Sequence, residues 1–91
     1  MPALCIPERG QPKHVAQDFI YKFIPTIDHH KTKYLVEKAR DELARQWACG
    51  TSELYSFKMR HFVLLLGEYH GEVIFDALQE AILAHEKQIS D

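Results

Sequence analysis

Between residues 12 and 24, Val15, Ala16, Phe19, Ile20, Phe23 and Ile24 recur three and four positions apart, with Lys13, Gln17, Asp18 and Lys22 set between them. A period near 3.6 gathers the apolar set on one flank of a helix and the polar set on the other. Pro12 suits a first helical turn, and Pro25 disfavours helical geometry at the residue before it, so this helix is expected to end near Ile24. A longer run follows. Thr26 or Asp28 offers a capping oxygen, and Leu35, Val36, Ala39, Leu43 and Trp47 fall within about 120° of arc at about 100° per residue. The pattern predicts one helix reaching about Cys49, roughly 33 Å long at about 1.5 Å per residue, with Gly50 as its left-handed stop.

Thr51 or Ser52 is placed to cap a third segment, with Glu53 favourably near the positive end of the helix dipole. Leu54, Phe57, His61, Phe62 and Leu65 keep helical spacing, but residues 62–66 are apolar on every side. Such a run fits a buried strand as well as a buried helix, and a hairpin through residues 67–71 into residues 73–75 competes with the helix. The capping signals and the lack of alternation on either flank favour the helix. From about residue 72 to 88, Ile74, Ala77, Leu78, Ala81, Ile82 and His85 form one stripe among good helix formers, predicting a fourth helix.

Short loops between helices imply antiparallel neighbours, so the expected fold is all-α: a compact four-helix bundle of one short and three longer helices. Ahead of it, three prolines and Gly10 within residues 1–12 mark an extended N-terminal arm. Leu4, Cys5 and Ile6 are too apolar for a solvated tail, so the arm is expected to pack on its own domain, ahead of the alternative that it packs on a neighbouring copy. The division is an arm over 1–11 and a single helical domain over 12–91. A chain of 91 residues supports one core, and ten aromatic residues supply it without metal or disulfide staples. So small a domain gains from burying further apolar area against a copy of itself, which makes a homodimer the expectation.

The longest unbroken apolar run, residues 62–66, falls far short of the roughly 20 residues a membrane-spanning helix needs, and no membrane partner is expected. The first residues lack the positive leader and apolar stretch of a secretory signal. Cys5 and Cys49 then read as free thiols in a reducing compartment, and the expected location is the cytoplasm. Charge is unevenly divided: residues 1–67 carry ten Lys and Arg against seven Asp and Glu, and residues 68–91 carry one against six.

Six histidines raise the question of metal or proton chemistry. Their spacing matches no zinc-protease, zinc-finger or di-iron pattern. His61 and His85 sit on apolar stripes and read as core histidines; His29 and His30 are neighbours, turned about 100° apart on a helix. Cys49 at a helix C-terminus faces the dipole end that disfavours a thiolate. No catalytic residue, metal ligand or cofactor site is assigned, and the chain reads as a non-enzyme. Two surfaces remain. Lys31, Lys38 and Arg45 recur every seven residues along the second predicted helix, a basic stripe able to track phosphates but interrupted by Glu37, Asp41 and Glu42. Glu68, Glu72, Asp76 and Glu80 recur every four residues and drift about 40° per step, making one acidic ridge. The expected function is a small protein–protein interaction or regulatory module that works through helix surfaces as a homodimer. The alternative is a nucleic-acid-binding regulator using Lys31, Lys38 and Arg45.

Overall fold

The first predicted helix is present as α1, Lys13–Phe23, in a computed structural model that describes residues 6–90, apart from the side chains of Lys31 and residues 86–90. Its inner face buries Ala16, Phe19, Ile20 and Phe23, the positions selected by the 3.6 period. The chain does not open out before Pro25. Ile24 keeps helical angles, and residues Ile24–Thr26 tighten into a 3-10 turn with Pro25 in its first positions, where a missing N–H costs nothing. Thr26 caps no following helix; its hydroxyl donates back to the Phe23 carbonyl at 2.6 Å.

The long second helix is two helices: α2, His30–Lys33, and α3, Glu37–Arg45. Thr32 is buried, and its hydroxyl donates back to the carbonyls of His29 at 3.2 Å and Ile27 at 3.4 Å, tying α2 to the segment before it. Val36 then takes extended geometry ahead of α3, a β-branched residue that loses little by leaving the helix. The predicted stripe breaks with it, for Leu43 and Trp47 are buried and Val36 is 67% exposed. The helix ends at Arg45 rather than near Cys49. The Gln17 amide donates to the carbonyls of Trp47 at 2.8 Å and Arg45 at 3.2 Å, satisfying acceptors that a continuing helix would have used.

Gly50 does not act as a left-handed stop. A side chain there would put its Cβ 2.6 Å from the Gln11 carbonyl oxygen, so glycine serves close approach of the N-terminal segment. That segment, residues 6–11, lies along the start of α4, Ser52–Ser56. The Thr51 hydroxyl donates to Glu8 O at 2.6 Å and accepts from Gln11 N–H at 2.9 Å, and Thr51 N–H donates to Gln11 O at 3.1 Å. Gly10 N–H meets Ser52 Oγ at 2.8 Å, and Tyr55 donates to Pro7 O at 2.6 Å. Ile6 is buried at one end of the seam; Leu4 and Cys5 lie outside the described residues.

The third predicted helix is also split, into α4 and α5, Met59–Leu66, because Phe57 turns extended. Extension puts its ring 4.5 Å from that of His61 and 5.8 Å from that of Trp47, between centroids. The Lys58 N–H donates to His61 Nδ1 at 3.0 Å, which closes the start of α5. Residues 62–66 are helical, with Phe62 and Leu66 buried, and the described residues contain no strand. Gly67, at φ 92°, ends α5 and starts α6, Glu68–Ser90, four residues earlier than the periodicity indicated. Gly71 is therefore not a turn residue. It lies inside α6, and a Cβ there would meet Phe62 O at 2.5 Å, so the missing side chain is what lets α5 and α6 touch backbone to backbone.

Trp47, Phe62, Leu54, Leu66, Ile74 and Leu78 are almost wholly buried at the centre, each contributing about 1.5–3 kcal/mol by the usual transfer scale. The described residues are all-α, with four helices of eight residues or more, α1, α3, α5 and α6, and two short ones. His85, placed by periodicity on the buried stripe, is exposed, and the stripe ends at Ile82.

Candidate functional site

α2 packs against α6, and beside that contact the end of α1, the 3-10 turn and residues 27–29 face α6 across a groove of about 580 Å³. Its floor is apolar: Phe23 and Ile27 from one wall, Val73, Ala77 and Ala81 from the other. The small side chains at 77 and 81, one helical turn apart, make the depression. Its rim carries Asp28, His29, Asp76 and Glu80, and no Lys or Arg among the described lining residues. Asp28, Asp76 and Glu80 are exposed, and none is ion-paired among the described residues. A carboxylate rim over an apolar floor attracts a cation that carries its own hydrocarbon, which is how lysine and arginine side chains present themselves.

The four acidic residues named from the sequence all stand exposed on α6. Only Asp76 and Glu80 border the groove; Glu68 and Glu72 lie on the helix before it. Asp28 joins them from the loop between the 3-10 turn and α2, and spacing gave no sign of it, because only the folded chain brings 28 beside 76 and 80.

The basic residues are not aligned on one helix. Lys31 belongs to α2, and its side chain lies outside the described residues; Lys38 and Arg45 belong to α3. Arg45 is paired with Asp41 at 3.0 Å, and Lys38 borders a shallow pocket of about 330 Å³ with Tyr21, Glu37 and Asp41. Burial, aided by the Glu37 carboxylate, raises the Tyr21 phenol above its ordinary range. Arg40, whose Nε is buried with no hydrogen-bond partner among the described residues, lies with its guanidinium 5.0 Å from the Tyr21 ring centroid. This face mixes both signs at short range.

Cys49 is half-buried in the loop after α3, and burial, with a smaller push from Glu53, raises its thiol. Among the described residues, no three His, Cys, Asp or Glu side chains are placed to hold one metal ion, and no helix is long and apolar enough to cross a membrane. No protein-family model, curated protein or solved structure matches the chain.

Proposed function

We propose that the chain is a small helical protein–protein interaction module of regulatory type, its four longer helices bundled and its acidic groove receiving a basic partner surface, with a second copy of itself as the first candidate. The observation that carries this reading is the groove along α6, whose apolar floor lies under three carboxylates and no described Lys or Arg. Three exposed carboxylates, none ion-paired among the described residues, beside an apolar depression are an arrangement that a basic amphipathic surface would complement, giving both contact area and orientation. The nucleic-acid alternative draws less support, since Arg45 is already paired and the three basic residues occupy two helices.

The test is light scattering behind size exclusion at low and high salt, with absorbance recorded at two wavelengths, alongside affinity capture from the native host. Each is run on the wild type and on Asp76→Lys/Glu80→Lys. A dimer, or a stoichiometric protein retained by the wild type and lost by the variant, supports the module. A chain that stays monomeric and retains nothing overturns it. Excess absorbance near the nucleic-acid maximum that disappears in high salt would instead favour binding through Lys31, Lys38 and Arg45.

A further inference from the structure

We propose that the α6 groove receives the outer face of α5 from a second copy of this chain, centred on Arg60 and Leu64. The proposal rests on the interaction-module reading and names its partner. Leu64 is 82% exposed, although Phe62 and Leu66 on either side of it are buried. Arg60 precedes it by four residues, so the two share one exposed flank of α5. Lys58 stands exposed just ahead of the helix, and α5 itself contains no acidic residue. This is a basic and apolar ridge without internal neutralisation.

The groove is its counterpart. Asp76 and Glu80 are also four residues apart, and so are Ala77 and Ala81 beside them. The i, i+4 spacing places each pair about 5–6 Å apart along its own helix, so a leucine and an arginine one turn apart match one alanine depression and one carboxylate of the facing helix. Ala77 and Ala81 leave room for a leucine side chain above Phe23 and Val73, and a guanidinium meets the rim carboxylates with more donors than an ammonium would. Both surfaces belong to the same polypeptide. A two-fold pair therefore makes the contact twice, α5 of each copy in the groove of the other, and closes without leaving a ridge or groove open. A domain this small stands to gain from the apolar area so buried.

The experiment measures self-association by analytical ultracentrifugation over a concentration series at low and high salt. It compares the wild type with Arg60→Glu, Glu80→Lys, Leu64→Ala and the doubly reversed Arg60→Glu/Glu80→Lys, and thermal melting checks that each variant is folded. Each single charge reversal should weaken the dimer on the order of tenfold, because an attraction becomes a repulsion, and the doubly reversed chain should return to within about threefold of wild type. Leu64→Ala should weaken it at both salt concentrations. Single variants that associate like the wild type, or a double variant no better than its parents, would overturn the assignment even if a dimer exists. A wild type that stays monomeric also overturns it; the module reading then survives only if Glu80→Lys loses a host protein that the wild type captures, and falls with it otherwise.

Discussion

Two places in this molecule bring a short segment against a helix, and they are finished differently. Where residues 6–11 run along α4, the polar groups meet: Thr51, Ser52 and Tyr55 bond the backbone of Pro7, Glu8, Gly10 and Gln11, and the Arg9 guanidinium lies 4.2 Å from the Tyr55 ring centroid. Where the 3-10 turn and residues 27–29 face α6, the apolar floor is only partly covered, and three carboxylates stand without an ion pair among the described residues. The first is an internal seam in which hydrogen bonds have replaced water. The second leaves its carboxylates exposed to solvent.

The sharpest way to break the contrast is to remove the side chain that ties the seam to the core. Trp47 is fully buried, contacts Phe57 and Phe62, and its indole N–H donates to Gly50 O at 3.3 Å. Trp47→Ala should cost about 3–5 kcal/mol in urea unfolding. A cost below about 1 kcal/mol would mean that the aromatic centre is not what supports the seam. Next in size, Thr51→Val keeps the volume but strands Glu8 C=O and Gln11 N–H, with an expected loss of about 2–3 kcal/mol. Gly50→Ala drives a methyl toward Gln11 O and should lose about 1–3 kcal/mol. If both leave the denaturation midpoint unchanged, the N-terminal segment contributes nothing to stability.

The groove should respond in the opposite sense. Asp76→Asn/Glu80→Gln removes like charges one turn apart and should leave stability unchanged or raise it by a few tenths of a kcal/mol. A loss well beyond about 0.5 kcal/mol would show that these carboxylates support the fold and are not reserved for a partner. The smallest effect expected is kinetic. With its thiol raised by burial, Cys49 holds less thiolate at neutral pH than an exposed cysteine, so in a Cys5→Ser chain it should alkylate more slowly than a free cysteine peptide. A raised thiol favours the folded state at pH below its unfolded value, and that contribution fades as pH climbs through the folded value. Equal alkylation rates would contradict the placement of Cys49.

Periodicity revealed whatever local packing determines. α1 and most of α6 follow their apolar stripes, and residues 62–66 are helical as their flanks indicated. The two interruptions were hidden because their causes lie in contacts. Val36 turning extended ahead of α3, and a ring at Phe57 that reaches both Trp47 and His61, interrupt helical spacing that otherwise continues. Gly50 reads as a helix stop, and Gly71 as part of the competing hairpin, for a related reason, since a glycine that ends an element and one that admits another backbone look alike in sequence. The acidic residues of α6 are exposed as their spacing suggested, but Asp28 and the apolar floor become part of one surface only after the chain folds back.

The unequal lengths of α5 and α6 have a mechanical consequence. Eight residues brace a rod of twenty-three, and past Ile82 the side chains of Leu83, Ala84 and His85 all face water. The turn just past Ile82 stands clear of the body like the start of a cantilever. Its amides should exchange with deuterium far sooner than those around Ile74 and Leu78, and a spectroscopic label at position 85 would report tumbling of that turn with little disturbance to the braced portion.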